Sequence, residues 1–409
     1  MVRFALMCLV LLGLHAGAWA QPADPESRGY PATQPPLEAW YALKSRLAEE
    51  YDLKLSVAYS ALYMQANKSA PDPVRSAEIG YPVFGRKQAL SGDVEIDGSF
   101  GLWGRETASP GRIIFKGESR HGLGLPVLPA RLNREIGSRW PTGTGYGEFD
   151  LSLVEFWLKQ NLAGDAVEIH IGKMFPLTQY DYFPLDNFRT DFSDGAFSFH
   201  PALALPDYGL GANVTVRPAR DIYLRAGIDD ANGQPERSGF QTFFGEAEYF
   251  TVVEAGWDPG FLGREPGSSY ADYHVTVWHA DNREKAGIPE GWGVTLSAFQ
   301  RIGRWQPFLR YSYSEGDKGG PSPVEHLVTT GFAADDILGR KEDRMGIGLA
   351  WGRPSDALLR DQFTSEFYYR IQLTRELALT QSAQLIVNPA ENPDVDTILV
   401  GGLRGRIQF

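Results

Sequence analysis

From Leu53 to Phe409 the chain repeats with a period of two. Successive side chains of a strand point to opposite faces, so this pattern restricts the chain to β-structure with two unlike sides. In the final stretch one face reads Leu399, Gly401, Leu403, Gly405, Ile407, Phe409, and the other Val400, Gly402, Arg404, Arg406, Gln408. Residues 363–373 set Phe363, Phe367, Ile371 and Leu373 against Glu366, Tyr368, Arg370 and Gln372. Residues 343–352 set Met345, Ile347, Leu349 and Trp351 against Arg344, Gly346, Gly348 and Ala350. Residues 92–104 set Val94, Ile96, Phe100 and Leu102 against Asp93, Glu95, Asp97 and Ser99.

The pattern predicts an all-β fold of about sixteen strands, near 53–64, 92–104, 110–120, 147–160, 165–174, 195–200, 207–217, 220–230, 243–257, 271–280, 291–301, 304–314, 343–352, 363–373, 376–388 and 396–409. Alternation falters in 147–160, where Leu151 and Leu153 share a face with Glu155; a bulge between Ser152 and Glu155 restores the phase. Some connections are tight, such as Pro218-Ala219 and Gly303. Others are long: 65–91, 121–146, 175–194 and 315–342.

A soluble sandwich and a membrane barrel both show such two-sided strands. Three features favour the barrel. The strands are long enough to cross a bilayer at a tilt, which takes about 9–11 residues. Aromatic residues crowd the strand ends: Tyr59, Tyr63, Trp103, Trp157, Tyr249, Trp257, Trp305, Tyr311, Tyr313 and Trp351. That placement fits two interfacial girdles. The last strand closes on an aromatic residue, Phe409, which fits an outer-membrane assembly signal. The expectation is a transmembrane antiparallel β-barrel over 53–409, closed because backbone groups facing hydrocarbon must all be paired.

Composition removes other classes. Net charge is −12, with 39 Lys+Arg against 51 Asp+Glu, which argues against a nucleic-acid binder. Beyond the amino terminus no apolar run reaches the ~18 residues of a spanning helix. Residues 1–20 read as a cleaved signal peptide: Arg3, an apolar Phe4–Leu14, then Ala18-Trp19-Ala20. Cleavage would remove Cys8, the single cysteine, so neither a disulfide framework nor a thiolate metal site is expected. Residues 21–52 read as an N-terminal arm followed by a helix, with Trp40, Leu43, Leu47 and Tyr51 at helical spacing. That helix is expected to cap the periplasmic mouth of the barrel.

Several blocks resemble the carbohydrate-selective outer-membrane porins of the OprB family. They are Leu385-Ile386-Val387-Asn388-Pro389, Asn392-Pro393 and Gly402 through Phe409; Leu153-Val154-Glu155-Phe156-Trp157; Ile169 through Lys173; Asp181-Tyr182-Phe183; and the helix-to-strand opening from Trp40 to Tyr63. The Met-Phe-Pro-Leu after Lys173 departs from the acidic turn expected there. The resemblance implies a sixteen-stranded barrel that passes mono- or small oligosaccharides by diffusion across a Gram-negative outer membrane. The implied partners are sugars, outer-membrane lipid and lipopolysaccharide, with a monomer or a homotrimer both compatible.

By parity the inward face carries Arg112, Lys116, Glu118, Glu168, His170, Arg225, Asp229, Arg310, Glu366, Arg370, Arg404 and Arg406. The candidate solute-binding set is Arg112, Lys116, Glu168, Arg225, Arg310, Glu366, Tyr368, Arg370, Arg404 and Arg406. Sugar hydroxyls both donate and accept; Arg offers five donors and Glu only acceptors, so a mixed lining can replace sugar hydration. Tyr368, Trp278 and Phe308 could stack on sugar faces. The same charges could equally brace the wall as ion pairs, and Arg404 and Arg406 could pair across the seam between last and first strands.

Other chemistry is sparse. No cofactor motif is present, and no metal centre is expected: His274 and His279 fall on opposite faces of one strand. Asp335-Asp336 with Glu342-Asp343 reads as an acidic loop, solvated or holding Ca²⁺ beside lipopolysaccharide. Three alternatives remain: a barrel enzyme, lipase or deacylase, of which a lipase would require Ser, His and Asn on one outer face, where Ser198 and His200 supply only the first two types; a non-selective porin; and a secreted polysaccharide-binding sandwich.

Overall fold

The computed structural model describes residues 35–69, 83–260, 270–315 and 321–409. The expected signal peptide and most of the arm lie outside the described residues. A helix, α1 (Pro35–Tyr51), leads into β1 (Leu53–Ala66), β2 (Gln88–Trp103), β3 (Gly111–Gly122), β4 (Phe149–Leu162), β5 (Val167–Met174), β6 (Gly209–Ala219), β7 (Ile222–Asp230) and β8 (Tyr249–Trp257). β9 (Tyr270–Ala280), β10 (Gly291–Arg301), β11 (Trp305–Ser314), β12 (Val324–Ile337), β13 (Arg340–Pro354), β14 (Gln362–Gln372), β15 (Leu377–Val387) and β16 (Thr397–Gln408) follow. Each strand pairs with its sequence neighbours, and β16 returns to β1 antiparallel, with Tyr59 opposite Ile407 and Tyr63 opposite Leu403. The sixteen strands therefore form a closed barrel without an edge.

The barrel is inside out relative to a soluble protein. Leu349 is 53% exposed and Leu309 54%, whereas Arg310 and Arg404 are each 3% exposed. The wall turns its aliphatic residues to lipid and its charges inward. Belts of aromatics ring both ends. Trp103, Trp257 and Trp305 stand at the end with tight turns, and Trp257 stacks on Tyr273 with centroids 5.5 Å apart. Trp292 and Tyr313 pair at the end with long loops, 5.6 Å apart.

Four expectations are corrected. Residues 195–200 are not a strand; Gly195–Ser198 forms a short helix inside the barrel, capped by Asp194, whose side chain accepts from the Ala196 N–H. The sixteenth strand is instead β12, within the stretch expected to be a long loop from 315 to 342. Asp335 and Asp336 thus end β12, and Glu342 and Asp343 lie on β13, so they form no acidic loop; Asp335 is taken by Arg301 and Arg344. Trp157 does not join a girdle. The β3–β4 register slips between Lys116–Glu155 and Gly117–Leu153, leaving Val154 as the extra residue of a bulge. Past that bulge Glu155 and Trp157 face inward, and the Trp157 ring lies 4.5 Å from that of His170.

α1 lies across the turn end. Tyr41 donates to Glu376 at 2.9 Å, and Arg105 donates to the backbone carbonyls of Glu49 and Ala48. Both Glu376 and Arg105 belong to connections at that end, so the helix is fastened beside the mouth.

Candidate functional site

The connection from β5 to β6, residues 175–208, does not stay at the rim. It crosses the lumen. Its apolar residues explain why: Phe183, Leu185, Phe192, Ala196 and Phe197 pack against inward residues of β10–β14, namely Phe299, Phe308, Leu327, Ala333, Ala350 and Tyr368. β13 supplies the space. A Cβ at Gly348 would meet the Phe197 ring at 2.6 Å, and one at Gly352 would meet Trp140 at 2.7 Å. The glycines on the inner face of β13 form a groove that receives rings from the two inward loops. The second of these, residues 123–148, seats Leu132, Ile136 and Tyr146 against Leu62, Met64, Ile386 and Val400 of β1, β15 and β16.

Ion pairs then fasten the crossing loop to three sectors of the wall. On the β9–β11 side Asp181 binds Arg310, His274 Nε2 (2.9 Å) and the Thr295 hydroxyl (3.1 Å), while its N–H donates to Glu254 at 2.7 Å. On the β2–β3 side Arg189 reaches Asp93 (2.5 Å), Glu95 (3.0 Å) and Glu118 (2.6 Å). On the β13–β16 side Asp191 accepts from Arg344 and from the Tyr368 hydroxyl, both at 2.8 Å. There Arg404 donates to the Phe188 and Asp191 carbonyls at 2.5 and 2.8 Å, and Glu366 accepts from the Ser193 and Asp194 N–H groups. Asp181 and His200 hold left-handed backbone, φ 50° and 56°. Such residues cost about 1–3 kcal/mol each and persist where surrounding contacts fix them.

The environment of the loop sets its protonation. Burial raises the Asp191 carboxyl, but Arg344 and Arg370 outweigh that and hold it near 2. Burial, reinforced by the charge of Arg310, pushes the His200 imidazole down to about 4 despite its contact with Asp181. Burial pushes Asp186 up to about 7; Arg310 opposes this, and Asp191 and Asp181 add to it. Asp186 is half-buried and belongs to the same crossing segment.

The candidate solute-binding residues are distributed along this wall. Arg112 pairs with Asp52 at 2.5 Å. Lys116 pairs with Glu95 at 2.6 Å and Asp97 at 3.3 Å. Glu168 pairs with Lys159. Arg225 binds Glu254 at 3.1 Å and the Gln179 carbonyl at 2.5 Å. Arg406 bridges the seam, donating to Ser60 Oγ of β1 at 2.8 Å and to Glu95 at 2.6 Å. Arg370 differs: its side chain is half-buried and has no carboxylate within 4.0 Å among the described residues. Sequence reasoning missed the loop's own contribution, Asp181, Asp186, Arg189 and Asp191. The dense run of Asp and Arg between Asp181 and Asp194 was the available signal.

His200 and Ser312 also meet here, with His200 Nε2 2.9 Å from Ser312 Oγ and His200 Nδ1 3.3 Å from Asp181. A nucleophile, base and acid in an open site stand in this order. Ser312 is 0% exposed and Arg310 occupies the same carboxylate, so the arrangement fastens the loop. His200 is buried inside the barrel and not on the outer face that a lipase would require.

A model of the carbohydrate-selective porins of the OprB family matches residues 132–409. The chain belongs to that family. Among curated relatives, porin AaxA of Chlamydia pneumoniae is 23% identical over 280 residues, 64% of this chain; the match spans 60% of that relative's length. The high-pH structure of Pseudomonas putida OprB superposes with a TM-score of 0.69 at 15% identity, covering 91% of this chain and 97% of the other. Its low-pH structure gives 0.52 at 13% identity, covering 90% and 96%. A variant of the Rh. blastica porin gives 0.50 at 9% identity, covering 87% and 100%. These likenesses show a shared porin barrel. Family and barrel together imply an outer-membrane location and a channel.

Proposed function

We propose that this chain passes mono- or small oligosaccharides by diffusion, between the crossing loop and the charged wall. The observation that carries the reading is the interleaving of signs on that wall. Arg344, Asp191, Arg404 and Glu366 meet at one loop segment, and Arg189 meets Asp93, Glu95 and Glu118 at another. Alternating donors and acceptors can exchange for the hydration of a neutral polyol without a large net field. Within the set of Arg112, Lys116, Glu168, Arg225, Arg310, Glu366, Tyr368, Arg370, Arg404 and Arg406, most members brace the loop and the wall. Arg370, which has no carboxylate within 4.0 Å among the described residues, is assigned to solute contact. Export through a leader at residues 1–20, contact with lipopolysaccharide and assembly as a monomer or homotrimer complete the proposal.

Liposome swelling tests it. Purified protein in vesicles should admit hexoses and disaccharides several-fold faster than amino acids of like size. Equal rates for all solutes of one size would reduce the chain to a non-selective porin. Turnover of a lipid or acylated sugar, lost in His200→Ala, would point to an enzyme.

A further inference from the structure

The β7–β8 connection, residues 231–248, leaves the loop end and folds down over the outer side of the wall. Its Pro235 carbonyl accepts from the Lys173 ammonium at 2.6 Å, and a Cβ at Gly239, where φ is +84°, would stand 3.1 Å from Leu210 Cγ. Lys173 and Leu210 are opposite each other on β5 and β6, in the lipid-facing row that continues to the exposed Phe156 on β4. We propose that this flap holds a phosphorylated, acylated glycolipid of the outer leaflet, lipopolysaccharide: Phe240 and Phe244 enter its acyl chains and Arg237 meets a phosphate. This gives residues to the lipopolysaccharide contact and rests on that reading, not on sugar passage.

Lys173 fixes the depth of the flap. An ammonium on a lipid-facing row is costly unless its donors are taken. Lys173 is 8% exposed, and its donors go to the Pro235 carbonyl and, at 3.1 Å, to the Leu153 carbonyl. The flap therefore lies beside the upper rows of the wall and not above the mouth. What covers the wall there also covers the outer surface of the flap, and at the loop end that is the outer leaflet.

That outer surface is aromatic. Phe240 is 63% exposed and Phe244 69%, with stacked rings whose centroids lie 6.2 Å apart. Phe244 meets Phe243 at 5.0 Å, and Phe243 meets Tyr249, at the start of β8, at 5.1 Å. The three phenylalanines thus extend the interfacial belt outward from the wall. Their turn is held in place: the Thr242 hydroxyl donates to Asp230, and the Tyr249 hydroxyl donates to the Phe243 carbonyl at 3.0 Å. Exposed rings presented in this way mark a membrane or partner contact. Charge selects the glycolipid. Glu236 accepts from the Asp150 N–H, Glu246 pairs with Lys285 at 2.6 Å, and Glu248 accepts from the Glu284 N–H at 3.0 Å. Arg237 is exposed and has no carboxylate within 4.0 Å among the described residues, so the unengaged charge of the flap is a cation three residues before Phe240. A guanidinium beside apolar rings matches a phosphate above acyl chains.

Two measurements test this. Cys8 is the only cysteine, so a nitroxide at Phe244→Cys in a Cys8→Ser chain reports a single position. In phosphatidylcholine vesicles it should relax at least threefold more with oxygen, which partitions into acyl chains, than with a water-soluble nickel chelate. Relaxation chiefly by nickel would place the ring in water, and protection from both would place it under protein; either overturns the proposal. The second measurement is lipopolysaccharide retained by the purified barrel through gel filtration in mild detergent. Wild type should retain it, and the Phe240→Ser, Phe244→Ser double variant and Arg237→Ala should each lower the amount at least threefold. Resistance of each barrel to SDS at room temperature verifies folding. Variants that retain as much as wild type would overturn the flap site while leaving lipopolysaccharide contact elsewhere on the barrel. A wild type that retains none would overturn that contact as well.

Discussion

Arg344 and Arg370 stand directly opposite each other on the inner face of the β13–β14 ladder, yet Asp191 binds only Arg344, at 2.8 Å. Like charges placed opposite across a sheet repel. Asp335 takes Arg344 from its other side at 2.6 Å, so Arg344 is fully engaged. Arg370 makes no ion pair of its own among the described residues, and acts on Asp191 only through its charge.

Replacing Arg370 by Ala should therefore change transport without unseating the loop. Sugar-dependent current block should weaken at least twofold, and the reversal potential in a KCl gradient should move toward cation preference. Planar-bilayer recording measures both. Unchanged block together with unchanged selectivity would defeat the assignment.

Arg310 should behave differently, because it holds Asp181 in a site where both side chains are nearly buried. Removing one partner of a buried pair leaves an uncompensated charge, which typically costs about 3–5 kcal/mol. Asp181→Asn is the cleaner variant, since Asn also tolerates the left-handed backbone at this position. It should loosen the 175–208 crossing, seen as new protease cleavage in that loop and as noisier single-channel current. A loop as resistant as wild type would show that the apolar packing alone holds it.

The contrast between these arginines was not legible in the sequence. Parity places both Arg310 and Arg370 inward, but the carboxylate that distinguishes them lies 129 residues from Arg310. No local pattern encodes such a pair. β12 was hidden for a related reason. Its inward residues Leu327 and Ala333 pack against the crossing loop instead of facing water, while its outward face carries His326 and Thr330, so neither side is uniformly polar or apolar and the alternation is lost. The apparent strand at 195–200 has the opposite origin. Ala196, Ser198 and His200 alternate with Phe197 and Phe199 by chance over a single helical turn. Elsewhere one side meets lipid and the other polar groups, and there the period of two located the strands.

The lipid face permits a stability test. Leu349 sits near the middle of β13 and is 53% exposed toward the surrounding hydrocarbon. Leu349→Arg should destabilise the barrel by about 2–4 kcal/mol, the cost of an arginine near the bilayer midplane. Leu349→Ala should cost less, because the position stays apolar. Urea titration of the barrel in lipid vesicles would read both. An arginine tolerated there without loss would mean that this face is covered by protein, as in an oligomer interface with a carboxylate opposite.

Asp186 should make ion selectivity depend on pH. Burial, with Asp191 and Asp181 nearby, sets its carboxyl near 7, above the usual carboxylate range. Below pH 7 it is then neutral in the folded channel, and above pH 7 it adds a negative charge to the crossing loop. Cation preference should rise between pH 6 and 8, with a midpoint near 7, and Asp186→Asn should remove that step. The stability term has the opposite direction. A raised folded-state value contributes stability that is complete below about 4 and is lost as pH climbs toward 7. His200 acts in the other sense: held near 4, it contributes stability above about 6.5 that is lost as pH falls toward 4. The loop is thus loosened by acid through His200 and charged by alkali through Asp186. Reversal potentials at pH 5, 7 and 9, recorded for wild type and each single variant, separate the two. A selectivity step that survives in Asp186→Asn would assign it to another group.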